Sequence, residues 1–307
     1  MATKISVVIP NYNGRDILTK TLPYVIKNCP NSEIIVVDDA SSDDSVTLLH
    51  KKFKKVRVVR LKKNKGFANA ANSGILTATN KLVLLLNSDV APRNGFLNPA
   101  LKYFNESKNK VFAVGLCDFS HENGRIVKKG RGGIYFKQGF LLHYPAVIER
   151  GATLWTSGGS SLINREIFLK LGGFDTLFKP FYWEDIDLGW RAWKQGYKCF
   201  FEPLSIVDHY HEQGSIIKEK SKLSIKTASY KNQILFFWKN VEDTYFVIMH
   251  LILFPYNFLT ALIRLDIAFF AGFLWAIIYV PCLIYNKTLS PTTFIISERE
   301  ILKIFEK

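Results

Sequence analysis

Short apolar runs alternate with stretches of helical spacing over the first ninety positions of this chain. Residues 5–9 read as a buried strand, and 15–28 as a helix ending before Pro30. Residues 33–37 predict a second strand, 43–52 a helix and 56–60 a third strand. A helix over 66–78 and a strand over 82–86 complete the series. Continuous apolar strands separated by helices need both sheet faces covered, which predicts an α/β fold with a mainly parallel central sheet. Ligands on such sheets bind beyond the carboxyl ends of the strands. Acidic clusters at those ends are therefore the first candidates for chemistry.

The pattern changes near residue 240. Residues 244–263 and 267–286 carry no Asp, Glu, Lys or Arg, and only Arg264 and Asp266 interrupt them. Each run matches the ~20 residues a helix needs to cross a bilayer. His250, Pro255, Asn257 and Pro281 make both imperfect as spans. The block reads as two spans, as a re-entrant or interfacial hairpin, or as a buried hairpin covering a soluble domain. Its crowded Phe, Trp, Tyr and Leu side chains favour membrane contact. Lys218, Lys220, Lys222, Lys226, Lys231 and Lys239 precede it, and Lys287, Arg299, Lys303 and Lys307 follow. The positive-inside rule then places both flanks in the cytoplasm, with an even number of crossings or none. The expected division is 1–240 for the α/β domain and 241–307 for a hydrophobic helical, membrane-associated tail.

Composition narrows the classes. With 48% apolar and 22% charged residues among 307, global disorder is excluded. Cys29, Cys117, Cys199 and Cys282 lie far apart without a C-x-x-C pair, which argues against a zinc ribbon or disulfide scaffold and for a reducing setting. The apolar run before Pro10 is too short for a signal peptide core. Lys and Arg outnumber Asp and Glu by 41 to 26, for a net charge of +15. The basic stretch over 51–65 reads as a solvated face or a contact with anionic lipid head groups rather than a nucleic-acid site.

Three acidic clusters stand out. The second strand runs into Asp38-Asp39-Ala40-Ser41-Ser42-Asp43. Ser41 or Ser42 as a helix N-cap explains its later members, while Asp38 and Asp39 stand where a ribose or base could be bound. Three leucines lead directly into Asn87-Ser88-Asp89, which is either a turn or a carboxylate awaiting a donor or a metal. In the third cluster Glu184 and Asp185 open a helix beside Tyr182 and Trp183. They are dipole-favoured acids or a positioned base. Ile186, Trp190 and Trp193 form its core face, Asp187 and Arg191 an i,i+4 surface ion pair, and Gly196 its end. Downstream, His209 and His211 are possible metal ligands or plain polar surface.

In combination these segments resemble family 2 glycosyltransferases, the inverting enzymes of GT-A fold, particularly the bacterial rhamnosyltransferase-like branch. The resemblance rests on residues 5–14, Ile35-Val36-Val37-Asp38-Asp39, Asn64-Lys65-Gly66-Phe67 and Leu85-Leu86-Asn87-Ser88-Asp89. It continues through Gly158-Gly159-Ser160-Ser161, Gly172-Gly173-Phe174-Asp175, Trp183-Glu184-Asp185 and His211-Glu212-Gln213-Gly214-Ser215. It implies a Rossmann-like nucleotide-binding domain with Pro10, Asn11, Asp38, Asp39, Gly66 and Ser88 around the nucleotide. Asp89 would be the last acid of a D-x-D element holding Mn2+ or Mg2+, although Asn87 replaces its first acid. His211 would be a second metal ligand, with His209 as the fallback. Asp185 would be the general base, with Glu184 beside it. The implied donor is a UDP- or dTDP-sugar, and the acceptor a lipid-linked or glycan hydroxyl at the cytoplasmic face of a bacterial inner membrane. The alternative is a non-catalytic nucleotide-sugar-binding or scaffolding protein in a membrane complex.

Overall fold

The structure, a computed structural model, describes residues 4–105, 110–122, 124–210, 221–289 and 294–306. In chain order the first elements are β1 (Ile5–Asn11), α1 (Arg15–Asn28), β2 (Glu33–Asp38), α2 (Ser45–Lys52), β3 (Arg57–Arg60) and α3 (Phe67–Thr77). Next come β4 (Leu82–Leu86), β5 (Val90–Pro92), α4 (Leu97–Asn105), β6 (Val111–Glu122), β7 (Arg125–Lys129), β8 (Gly132–Lys137) and β9 (Phe140–Pro145). Then follow β10 (Gly151–Ala152), β11 (Ser160–Asn164), α5 (Arg165–Lys170), α6 (Glu184–Lys194) and β12 (Lys198–His209). The helices α7 (Lys222–Asn240), α8 (Thr244–Ile263), α9 (Ile267–Ile277), α10 (Val280–Leu289) and α11 (Glu298–Phe305) close the chain.

The main sheet has the order β10-β12-β6-β11-β4-β1-β2-β3. Strands β3, β2, β1 and β4 are parallel as the apolar runs predict. Strand β11 runs antiparallel between β4 and β6, so the sheet is mixed and mostly parallel. Successive side chains of a strand point to opposite faces, and in β1, β2 and β4 both faces are dry, whereas the edge strand β3 is half exposed. Ile5, Val7 and Ile9 join one core with Leu18 and Leu22 of α1 and Leu48 of α2. Val8, Ile35 and Val37 join another with Ala71 and Ile75 of α3, Trp190 of α6 and Phe236 of α7. Gly74 lets α3 settle onto the strands, since a Cβ there would lie 2.4 Å from a Val8 methyl carbon.

The chain leaves β1 toward β2 on one side and β4 on the other, so a crevice opens beyond their carboxyl ends. That crevice is bordered by Asn11, Asp38 and the 87–89 segment.

The apolar tail departs from the expected pair of long helices. Residues 244–263 form the continuous helix α8, but the second run breaks between Ile277 and Val280. Pro281 lies in the first turn of α10, a position proline tolerates and a helix interior does not. Among the described residues only α8 is long and apolar enough to cross a membrane. The chain then returns, because Ile301, Leu302 and Phe305 of α11 are buried in the same core as the sheet strands.

Candidate active site

At the β1–β2 end of the crevice, Pro10 is buried in β1 opposite Val37. Asn11 Nδ2 donates to Asp38 Oδ1 at 3.3 Å and to Ser41 Oγ at 3.4 Å. Asp38 is fully buried, and its Oδ2 accepts from Ser41 N–H at 3.1 Å. The Asp39 carboxylate accepts Lys65 N–H at 2.8 Å and Gly66 N–H at 2.7 Å, which fixes the turn into α3. Gly66 sits there at φ +82°, where a side chain would be strained. The serines do not cap α2 as the spacing predicts. Asp44 occupies the N-cap without a side-chain bond, while Ser41 Oγ accepts Asn13 N–H and Ser42 donates to Asn13 Oδ1. The physical reason is that both serines are used to lace this loop to the end of β1.

Beyond β4, the Ser88 carbonyl accepts the Thr21 hydroxyl at 2.7 Å. Asp89 is buried at 6% exposure beside His209, whose Nε2 lies 3.3 Å from Asp89 Oδ1. The other ring nitrogen of His209 lies 3.4 Å from Asp118 Oδ2. This imidazole is placed by the pairing of β12 with β5 and by Tyr210 N–H donating to the Asp89 carbonyl. Burial would lower its pKa, but the hydrogen bonds and charges of Asp118 and Asp89 prevail and push it up to about 10. His211 lies outside the described residues.

Among the described residues no group of three or more His, Cys, Asp or Glu side chains forms a ready metal cage. The donor set nevertheless suits an oxygen-preferring cation. Among the described residues Asp118 Oδ1 is buried without a hydrogen-bond partner, and Asp89 Oδ1 lies beside His209. Mg2+ and Mn2+ commonly use one or two carboxylates and complete their shell with substrate phosphates. Asp118 escaped the sequence reading, although it stands behind the apolar run 111–117 just as Asp89 stands behind its leucines.

The third cluster meets the second across one dipeptide. A Cβ on Gly159 would lie 2.6 Å from Asn87 Nδ2, and Asn87 N–H donates to the Gly159 carbonyl at 2.8 Å. The adjacent Gly158 and Ile186 supply backbone N–H groups to the Asp185 carboxylate. Burial raises the pKa of Asp185 against those donors. Burial and then the Asp185 charge raise Glu184, whose Oε2 has no hydrogen-bond partner among the described residues. Such a pair retains a proton well above the usual carboxylate range.

Tyr182 and Trp183, which lead into α6, both have left-handed backbone, at φ +68° and +77°. Non-glycine residues persist there only when their surroundings over-determine them. Asn232 of α7 supplies that constraint, donating to the carbonyls of Phe178 at 2.6 Å and of Phe181 and Tyr182 at 3.0 Å. Nothing in the amphipathic pattern of 222–240 marks Asn232 for this role.

The Asp187–Arg191 pair is a correction. It is buried rather than on the surface, with Asp187 fully covered and Arg191 bonded at 2.8 Å. Burial would raise Asp187, but Arg191, then Lys239 and Asn240, hold its carboxyl below the usual range. Arg191 also donates to the carbonyls of Leu171 and Gly173, which ties α6 to the Gly172-Gly173 turn. Gly196 ends α6 as expected, at φ +74° with its N–H on the Trp193 carbonyl.

The family model for Glycosyl transferase family 2 matches residues 6–172. N-acetylgalactosaminyltransferase 6 of Drosophila melanogaster is 27% identical over 225 residues, covering 67% of this chain and 34% of that protein. Pre-mycofactocin glycosyltransferase of Mycobacterium tuberculosis is 25% identical over 212 residues, covering 67% of this chain and 43% of that protein. The chain thus spans less than half the length of these relatives. Among solved structures, GalNAc-T7 with UDP, GalNAc and Mn2+ superposes with a TM-score of 0.62 at 20% identity, over 77% of this chain and 48% of that one. S. aureus TarS 1-349 with UDP-GlcNAc gives 0.58 at 17% identity, over 81% of this chain and 70% of that one. The likeness to these structures is one of fold, the GT-A fold.

Proposed function

The chain belongs to glycosyl transferase family 2, and on that premise we propose that it is an inverting glycosyltransferase. It moves a sugar from a nucleoside diphosphate, UDP or dTDP, to a hydroxyl of a lipid-linked or glycan acceptor in cell-surface polysaccharide assembly. The observation that carries this reading is the Gly158–Gly159 dipeptide, which packs against Asn87 of the 87–89 segment through Gly159 and bonds the Asp185 carboxylate at the mouth of α6 through Gly158.

Each residue then has a distinct task. Asn11 and Asp38 border the nucleotide base, and Asp39 holds the Gly66 turn against it. Asp89, with His211 as second ligand and His209 as the fallback beside Asp89, would hold Mn2+ or Mg2+, which would neutralise negative charge growing on the departing diphosphate. Mn2+ accompanies GalNAc-T7 and the Pyrobaculum calidifontis mannosyltransferase in their crystals, which supports this choice. Asp185 accepts the proton of the acceptor hydroxyl, whose oxygen bonds to the anomeric carbon from the face opposite the leaving group. The bond from that carbon to the diphosphate oxygen breaks, its electron pair leaves with the diphosphate, and the configuration inverts. The raised pKa of Asp185 makes it a stronger base than a solvated carboxylate while it stays mostly ionised near neutrality. Glu184 orients the acceptor.

In this reading residues 1–240, packed with the returning helix α11, carry catalysis, and the apolar helices within 241–307 attach the enzyme to the cytoplasmic face of a bacterial inner membrane. The test is transfer from radiolabelled UDP- and dTDP-sugars to a membrane lipid extract. Asp185→Asn should lower the rate by about 10²–10⁴-fold with donor binding intact. Equal transfer by Asp185→Asn removes it as the base, and failure of every donor to bind favours a scaffold instead.

A further inference from the structure

Helix α8 carries no charged residue on any side, yet only one side of it is covered. Phe246, His250 and Ala261 are buried, and Phe254 and Phe258 pack in an aromatic row with Phe140 and Phe273. The opposite side shows Ile248, Leu251, Ile252, Leu259, Leu262 and Ile263, each between 49% and 73% exposed. The stripe continues through Leu265 and Ile267 to Leu274 and Ile278 beside and on α9. A helix with no charged side belongs against protein or in lipid, and soluble monomers rarely expose so long an apolar patch.

How α8 is fastened decides its orientation. His250 Nδ1 lies 2.7 Å from the Gly139 carbonyl, and Asn257 Nδ2 donates to the Gln138 carbonyl at 2.9 Å. Gln138 and Gly139 are the turn between β8 and β9, directly after the exposed Lys137. His250 and Asn257 flank the midpoint of the 20-residue helix. A crossing would therefore carry this polar turn and Lys137 to the middle of the hydrocarbon, where charges and unpaired backbone groups are expelled.

The apolar stripe adjoins cationic cavities. Arg264, Lys226, Asp266, Leu265 and Ile267 line one of about 420 Å³, and a second of about 260 Å³ shares Arg264 and Asp266 and adds Lys137, so the cations outnumber the single acid in each. Lys226 and Tyr230 both engage Asp266 at 2.8 Å. Among the described residues no carboxylate pairs with Arg264. Cations beside a lipid-facing stripe complement phosphate head groups.

We propose that α8 and α9 lie in the plane of an anionic bilayer without crossing it, the stripe among the acyl chains and Arg264 and Lys137 at the head groups. This deepens the membrane association proposed above and rests on it. It also brings lipid close to the machinery. Trp275 of α9 covers the ammonium of Lys231 at 4.7 Å, and that ammonium holds the carbonyls of Leu177 and Lys179 ahead of Glu184. A lipid-anchored acceptor would thus arrive beside the loop that presents the base.

The test is spin-label depth measurement on the full chain bound to phosphatidylglycerol–phosphatidylcholine vesicles. Labels at Ile248→Cys, Ile252→Cys, Leu259→Cys and Ile263→Cys should all report one shallow depth. A depth that passes through the bilayer centre along the helix overturns the proposal, as does failure of the unlabelled chain to bind vesicles. Arg264→Gln and Lys137→Gln should each weaken binding to anionic vesicles by roughly five-fold. Equal binding of the unaltered chain to pure phosphatidylcholine overturns the head-group assignment. Neither readout involves nucleotide or sugar, so a chain that docks as described yet transfers nothing refutes the catalytic reading alone.

Discussion

Asp185 and Glu184 share a water-poor mouth at the start of α6, and their raised pKa values have a kinetic consequence. A base works only when deprotonated, so transfer should fall as pH drops through the raised pKa of Asp185. A pH–rate profile should place that acid limb clearly above the ~4 of a solvated carboxylate. Glu184→Gln should keep the limb and lose less rate, because glutamine preserves the hydrogen-bonding shape of a neutral carboxyl. A limb at the ordinary carboxylate position would move the base elsewhere. At the other cluster, His211→Ala should weaken Mn2+-dependent UDP binding, measured by calorimetry, by about ten-fold or more. His209→Ala with the larger loss would place the ligand two residues upstream.

The elements position these groups through contacts far apart in sequence. Asn232 reaches the loop before α6 from fifty residues away and satisfies carbonyls that hold Tyr182 and Trp183 in left-handed backbone. Asn232→Leu should cost about 1–3 kcal/mol of stability by leaving those carbonyls unsatisfied. It should also lower kcat more than it raises KM, since the loop carries the proposed base rather than the proposed donor site. Asn232→Asp should be worse, because an acceptor would then face acceptors. Packing of the tail is equally local. Gly272 of α9 lies so near α7 that a Cβ would sit 2.8 Å from the Thr227 carbonyl and 3.0 Å from Lys231 N. Gly272→Val should force the helices apart, cost about 1–3 kcal/mol and weaken vesicle binding, as read by thermal unfolding and sedimentation.

On the scale of the whole molecule, the returning C-terminus is built into the sheet domain. Lys194 of α6 and Glu298 of α11 are both buried and bond at 3.0 Å, and Glu298 also accepts the N–H groups of Glu242 and Asp243. Trp193 meets the ring of Phe305, and Tyr144 donates to the Phe305 carbonyl at 2.6 Å. Cutting the chain after residue 240 would strand Lys194, and an unpaired buried charge costs about 3–5 kcal/mol. Glu298→Ala in the full chain should show a loss of that order in chemical unfolding. Deleting only 244–289 with a short linker that retains α11 should be tolerated better than removing everything beyond 240.

Hydrophobic patterning by itself determined the strands β1 to β4, the helices between them, and the placement of candidate acids at strand ends. These features follow from local spacing, because a buried strand needs an unbroken apolar run and a turn needs polar or small residues. The apolar block after residue 240 was equally legible, since charge is absent from it over whole helices. Tertiary structure alone decided which groups meet. Asp118 joins Asp89 and His209 through the pairing of β6, β12 and β5, and no spacing in the chain announces that register. The antiparallel insertion of β11, the burial of Asp187 with Arg191 and the reach of Asn232 are likewise long-range choices. So is the return of α11, whose Glu298 finds Lys194 across 104 positions. The physical reason is that periodicity reports which face of an element is buried, whereas the partner on that face depends on closing a long loop. The free energy of such closure is settled only by the whole packed core.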